Sequence, residues 1–129
     1  MKTSLDRIIL LVTDFDEALA FYKENFDCHV IFDQKTKEGK RFLHIGFPQK
    51  YSAGIWFLKA ETEEQRERVG NQTGGMPTFV LYTDNLEQQY QHLVRNKVEI
   101  VEYPVYDSDY KFLHFKDLYG NRVVLVELD

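Results

Sequence analysis

The feature that most constrains the fold is an internal repeat whose matching blocks recur at one constant spacing. The blocks are Thr13-Asp14 with Thr83-Asp84, Glu17 with Glu87, and Phe42-Leu43-His44 with Phe112-Leu113-His114. One shared dipeptide arises by chance, whereas three blocks at one spacing, each in the corresponding part of its half, indicate a duplication. The chain is therefore predicted to contain two copies of one supersecondary unit.

The hydrophobic pattern gives each copy the order β-α-β-β-β. In the first copy, residues 8–12 are apolar and β-branched and predict a strand, and residues 15–26 carry apolar side chains at helical spacing after the capping box of Asp14 and Glu17. Strands are predicted near 29–34, 41–47 and 54–59. The second copy repeats the order, with a strand at 78–82, a helix capped by Asp84 and Glu87, and strands near 99–105, 111–115 and 122–128.

Residues 61–76 interrupt the repeat. They begin with a charge run suited to one short helix and end in a polar stretch with two adjacent glycines. The predicted organisation is one α+β domain over 1–129, with a module at 1–60, a linker at 61–76 and a module at 77–129. The linker is a candidate lid over a binding site.

Composition excludes several classes of function. The net charge is −5 and no basic stripe interleaves with aromatic residues, so neither nucleic acid nor a membrane surface is a predicted partner. The longest apolar run, residues 8–12, is too short to span a membrane, and the N-terminus lacks a secretory apolar region, which predicts a cytoplasmic protein. Cys28 is the single cysteine and is expected to be a buried, unreactive thiol.

Two segments resemble the vicinal oxygen chelate superfamily, which includes glyoxalase I, extradiol dioxygenases and bleomycin-resistance proteins. They are Val12-Thr-Asp-x-Asp-x-Ala-x-x-Phe-Tyr22 and Phe115-x-Asp-x-Tyr-Gly-Asn-x-x-x-Leu125, where Leu118 replaces the proline usual in the family. The resemblance implies that the two modules form a curved mixed sheet enclosing a cup. In catalytic relatives, it further implies a divalent metal held by one first-strand and one last-strand side chain from each module.

This sequence departs from that pattern at all four metal positions. Counting from the motifs, the first-strand positions fall on Arg7 and Pro77, and the last-strand positions on Phe57 and Val124. Arginine repels a cation, and the other three side chains offer no donor atom. No metal and no other cofactor is therefore predicted.

Strand alternation then predicts what lines the cup. If Leu43 and Leu113 pack under the helices, the opposite side chains point into the cup. The predicted lining is Arg7, Ile9, Leu11, Phe42, His44, Phe57, Phe79, Leu81, Phe112, His114 and Val124. Structural alternatives stay open: the aromatics as ordinary core, Arg7 as a solvated residue at a strand start, and the two histidines as wall residues or as a thin substitute metal site.

The leading function hypothesis is metal-independent binding of a small hydrophobic or amphipathic molecule between the modules, as in bleomycin-resistance proteins, with no catalysis. One alternative is a lyase, isomerase or dioxygenase with a non-standard site, in which Arg7 and a histidine serve as electrophile and base. A second alternative is a non-catalytic interaction module. The resemblance and the exposed strand edges also predict a homodimer.

Overall fold

The computed structural model describes residues 1–128, and its elements follow the predicted order twice. The first half contains β1 (Arg7–Val12), α1 (Phe15–Phe26), β2 (His29–Lys35), β3 (Arg41–Gly46) and β4 (Gly54–Lys59). After α2 (Glu63–Arg68), the second half contains β5 (Phe79–Thr83), α3 (Leu86–Arg95), β6 (Ile100–Tyr106), β7 (Lys111–Lys116) and β8 (Arg122–Glu127). The predicted α+β class and the tandem βαβββ arrangement are confirmed.

Each half builds its own four-stranded sheet. The strand orders are β1-β4-β3-β2 and β5-β8-β7-β6, so the first strand of each module pairs with its last strand. That pairing is parallel, and the other pairings are antiparallel. The chain divides into two compact units, Met1–Arg66 and a second that starts at Glu67.

One face of each sheet is the core because a helix covers it. In the first unit, Leu10, Leu43 and Phe57 are fully buried side by side, and the ring of Tyr22 in α1 lies 6.0 Å from that of Phe57. In the second unit, Leu113 and Leu125 pair in the same way and are equally buried. We call the opposite side of each sheet its helix-free face.

The two helices start at different points of the repeat. The N-cap of α1 is Asp14, as predicted, and its side chain accepts from the backbone N–H of Glu17. The N-cap of α3 is Asn85 and not the predicted Asp84, because β5 continues through Thr83, which is paired with Glu127. Asparagine and aspartate cap equally well, so local sequence does not choose between them. The second helix consequently begins one position later in its copy than the first helix does.

The segment between the modules contains the one short helix that was predicted, α2. Gly70 follows it with a positive φ of 78°, and a Cβ there would lie 1.8 Å from the carbonyl oxygen of Tyr119. The glycine therefore permits a close backbone contact with the turn before β8. Within residues 1–128, no helix is long and apolar enough to cross a membrane.

Candidate functional site

The helix-free face of the first sheet carries a row of aromatic side chains around His44. His44 is paired with Phe32 on β2 and with Trp56 on β4, and Trp56 is paired with Ile9 on β1. The His44 and Trp56 rings are stacked, with centroids 4.9 Å apart and an angle of 28° between their planes. The ring of Phe42 lies 6.2 Å from that of Trp56. This face is only partly buried, and the exposed fraction of Phe32 is 44%.

Arg7 reaches across this face to His44. Its Nε lies 3.2 Å from His44 Nδ1, and its Nη1 donates to the carbonyl oxygen of Asp6. The long side chain passes over Gly54, where a Cβ would lie 3.4 Å from Arg7 Cδ. A Cβ at this position would also lie 2.4 Å from the Ile45 carbonyl oxygen and 3.1 Å from Ile31 Cδ1, so glycine fits the site.

The Arg7 hydrogen bond fixes the state of His44. A guanidinium has only donors, so Nδ1 must accept, and the neutral ring then carries its proton on Nε2. Burial, together with the nearby positive charge of Arg7, holds the pKa of His44 below its ordinary value. In this arrangement His44 has no free lone pair, so it is a hydrogen-bond donor and not a base.

Trp56 adds a further donor on the same face. Its Nε1 is buried and has no hydrogen-bond acceptor among the described residues. A buried polar group without a partner costs about 1–3 kcal/mol. Sequence reasoning missed both Trp56 and Phe32. The signal for Trp56 was its place in the apolar strand before Leu58, but the position was assigned to Phe57 instead.

The second sheet holds a similar pair built from a different strand. Arg122, at the start of β8, donates from Nε to His114 Nδ1 over 2.8 Å. Glu102 on β6 is paired with His114, and its carboxylate lies 3.7 Å from both His114 Nε2 and Arg122 Nη2. Burial and Arg122 lower the pKa of His114, while Glu102 partly opposes that shift. Arg122 and Glu102 were not predicted as site residues.

Three predicted lining residues face the helices instead, and the predictions for them are wrong. Phe57 is fully buried against Tyr22. Phe79 and Leu81 are paired with Val123 and Leu125, which lie in the core of the second unit. The physical reason is register: a shift of one residue exchanges the two faces of a strand.

The other predicted lining residues lie on helix-free faces. Arg7, Ile9 and Leu11 share the face of His44 on β1, and Phe42 and His44 share it on β3. In the second unit, Phe112, His114 and Val124 share one face, which also receives Val80 of β5. The structure thus brings the correctly predicted residues of the first unit together on the first sheet, and those of the second unit together on the second sheet.

The residues at the family's metal positions do not fit a divalent cation. By register, the β4 position that faces His44 is Trp56 and not the predicted Phe57, and the counterpart of Arg7 in the second unit is Thr78 and not the predicted Pro77. Together with Arg7 and Val124, these side chains include no carboxylate, imidazole or thiolate. Across residues 1–128, no group of three or more His, Cys, Asp and Glu side chains is placed to hold a metal.

Cys28 does not supply a nucleophile. Cys28 lies in the sequence between α1 and β2, and its side chain is buried. Burial is the main cause that raises the pKa of its thiol to about 12. Because the thiolate is the reactive form, this cysteine is unreactive at neutral pH.

Comparison with known proteins gives a consistent family. The model described as "Glyoxalase/Bleomycin resistance protein/Dioxygenase superfamily" matches residues 4–125. An uncharacterized protein of Shewanella frigidimarina (strain NCIMB 400) is 31% identical over 131 residues, which cover 100% of this chain and 96% of that protein.

Solved structures agree on the fold. The crystal structure of UcmS2 is 26% identical, with a TM-score of 0.83 and 98% of each chain covered. TnmS3, an antibiotic binding protein from Streptomyces sp. CB03234, is 19% identical, with a TM-score of 0.78, 99% of this chain covered and 98% of that chain. At the latter identity, the likeness concerns the fold alone.

Proposed function

Because this chain belongs to the glyoxalase/bleomycin resistance protein/dioxygenase superfamily, we propose that it binds a small hydrophobic or amphipathic organic molecule without a metal. The binding surface is the helix-free face of the first sheet. Sequestration of that molecule is the role that we propose; the structural relative TnmS3 is described as an antibiotic binding protein.

The observation that carries the proposal is the partly exposed aromatic face around Trp56. Phe32, Phe42 and Trp56 surround His44, with ring centroids between 4.9 and 6.2 Å apart along the cluster. Ligand sites are mostly apolar and aromatic, with a few polar groups that fix orientation. Arg7 and His44 supply those polar groups here.

The chemistry of the polar pair favours binding over catalysis. General base catalysis needs a group that can take a proton, and His44 Nδ1 already accepts from Arg7. The same holds for His114, whose Nδ1 accepts from Arg122. The side chains at the family's metal positions also lack the ligands for a Lewis-acid metal. These points support a binding protein over a metal-dependent lyase or dioxygenase.

A homodimer and a cytoplasmic location belong to the same proposal. In each sheet the two outer strands, such as β1 and β2, have an edge that the sheet itself does not pair, and such edges are normally covered in a native assembly. A single buried cysteine with no disulfide partner suits a reducing compartment. Native mass spectrometry tests the dimer directly: a monomer at micromolar concentration would contradict it.

Calorimetric titration with a neutral aromatic probe, 2-naphthalenemethanol, tests the binding function. We expect saturable binding that is unchanged by EDTA. Trp56→Ala should weaken it about fivefold or more, because one aromatic contact is lost together with its buried area.

Tyr51→Ala is the matched control, since Tyr51 is an exposed aromatic residue in the turn before β4 and lies outside the sheet. Its affinity should equal that of the unaltered protein. An equal loss in both variants would contradict the proposal, and so would the absence of saturable binding by this probe and by its charged naphthyl analogues.

A further inference from the structure

We infer that the molecule held on the first sheet is a planar aromatic anion, which presents a carboxylate or phenolate oxygen to Arg7 and His44. This inference rests on the proposed binding function and specifies the chemical class of the ligand. Its basis is an imbalance of hydrogen-bonding groups on one face.

The helix-free face of the first sheet carries nitrogen donors without carboxylates to accept from them. The Arg7 guanidinium directs one donor to His44 and one to a backbone oxygen, and no Asp or Glu among residues 1–128 forms an ion pair with it. His44 presents its Nε2 proton, because Nδ1 is occupied by Arg7. Trp56 Nε1 has no acceptor among the described residues.

Charge on this face points in the same direction. Alternation places its ionisable side chains at Arg7, at His44 and, at the start of β2, at His29, which is paired with Gly46. The carboxylate of Asp33 lies on the opposite side and pairs with Arg41. An anion would therefore meet a positive charge without a competing negative one, and charge-assisted hydrogen bonds are about twice as strong as neutral ones.

The aromatic rings on this face indicate that the ligand is flat. The His44 and Trp56 rings stack with 28° between their planes, so flat rings already pack against one another on this face, next to the donors. Ile31, which sits at the bulge in β2, has its side chain near Gly46 and Gly54, where absent Cβ atoms leave it space. A flat ligand ring can pack against this aromatic cluster while its acidic group reaches Arg7.

On the second sheet, the equivalent arginine–histidine cluster includes a carboxylate that can accept from its donors. There, the Glu102 carboxylate lies within 3.7 Å of both the histidine and the arginine. The position on the first sheet that corresponds to Glu102 holds Phe32, which is paired with His44. The missing acceptor of the first sheet is therefore the group that we assign to the ligand.

The test compares three probes that share the naphthalene ring system and differ in charge: 2-naphthoate, 2-naphthalenemethanol and 2-naphthylmethylammonium. Calorimetric titration near pH 7.5 should give the tightest binding for the anion and the weakest for the cation. Arg7→Gln should weaken naphthoate binding about tenfold and leave the neutral alcohol within about twofold, because only the anion loses a charge-assisted pair.

Two further variants keep the result interpretable. Arg7→Lys retains the charge but loses the planar donor pair, so its naphthoate affinity should fall between those of the other two proteins. Arg122→Gln is the matched control, because it removes the equivalent guanidinium from the second sheet. It should leave naphthoate affinity within about twofold.

The outcomes separate the two proposals. Equal affinity for all three probes would overturn the inference while leaving the binding function intact. An equal loss in Arg7→Gln and Arg122→Gln would also overturn it, since the anion would not depend on the first sheet. If none of the probes bound, the proposed function itself would fail together with the inference.

Discussion

The helix-free faces of the two sheets carry the same arginine–histidine hydrogen bond but differ in what completes it. Arg7 comes from the first strand of its module, whereas Arg122 comes from the last strand of the other. On the second sheet Glu102 balances the pair, and on the first sheet Phe32 takes the corresponding place. The two halves of the repeat thus form the same kind of hydrogen bond from non-equivalent arginines, and only the second cluster includes a carboxylate that balances the positive charge.

The helix-covered faces, in contrast, are nearly equivalent. Leu43 and Leu113 have the same place in the repeat, are fully buried and pair with buried residues on the next strand. Packing is shared between the modules because both copies must fold, whereas the opposite face of each sheet is free to diverge.

The largest expected effect tests this equivalence of the cores. Leu43→Ala and Leu113→Ala should each lower the free energy of unfolding by about 2–5 kcal/mol, since each leaves a cavity in a packed layer. Urea denaturation monitored by circular dichroism measures it. A loss in one module that is several-fold larger than in the other would show that the two cores are not equivalent.

An intermediate effect is expected at the turn that precedes the last strand. In the second module, buried Asp117 accepts from the backbone N–H groups of Tyr119 and Asn121 and from the Asn121 amide. Asp117→Asn should cost about 1–3 kcal/mol of unfolding free energy, because a donor then faces a donor in a buried site. The same place in the first module holds Phe47, so this network belongs to the second module only.

Exposed Asp109→Asn, in the preceding turn, is the control for that change. Its unfolding free energy should stay within about 0.5 kcal/mol of the unaltered protein. Equal destabilisation by the two substitutions would argue against the buried network and for a general effect of net charge.

The smallest expected effect concerns the two histidines. The pKa of each is lowered mainly by burial, so between the folded-state pKa and about 6.5 the unfolded chain binds more protons and stability rises with pH. Glu102→Gln removes the group that raises the pKa of His114. That pKa should fall further, while the pKa of His44 stays the same.

A two-dimensional NMR titration of the imidazole groups measures both histidines in one sample. If the pKa of His44 moved as much as that of His114, Glu102 would not be specific to the second cluster. A rise in the pKa of His114 would contradict the assigned contact between the two side chains.

The fold was predictable from sequence because the repeat fixed the order of the elements twice. The facing of the strands was predicted correctly where the constant spacing of the repeat holds, as for Phe42 and His44 with Phe112 and His114. It failed for Phe79 and Leu81, since α3 starts one residue later than α1 within the repeat.

Some of the residues and contacts of the first site could not be predicted from the sequence, for a different reason. Arg7 and His44 were both predicted, but their hydrogen bond joins β1 and β3, which are not adjacent in the sheet, and the sequence pattern does not show that the two side chains meet. Trp56 was missed because the spacing of the repeat shortens at the last strand. The distance along the chain from β4 (Gly54–Lys59) to β8 (Arg122–Glu127) is smaller than the distance between the earlier pairs of equivalent strands. Such changes in spacing occur in turns, where hydrophobic periodicity gives no information.

The indole N–H signal of Trp56 tests the central claim most directly, because the chain contains a single tryptophan and gives one such signal. We predict that saturating ¹⁵N-labelled protein with 2-naphthoate moves this signal, because the ligand's aromatic rings pack against the Trp56 indole and their ring current changes the shielding of its N–H. An indole signal that stays in place at saturation, while backbone signals of the second sheet's helix-free face move, would contradict the account.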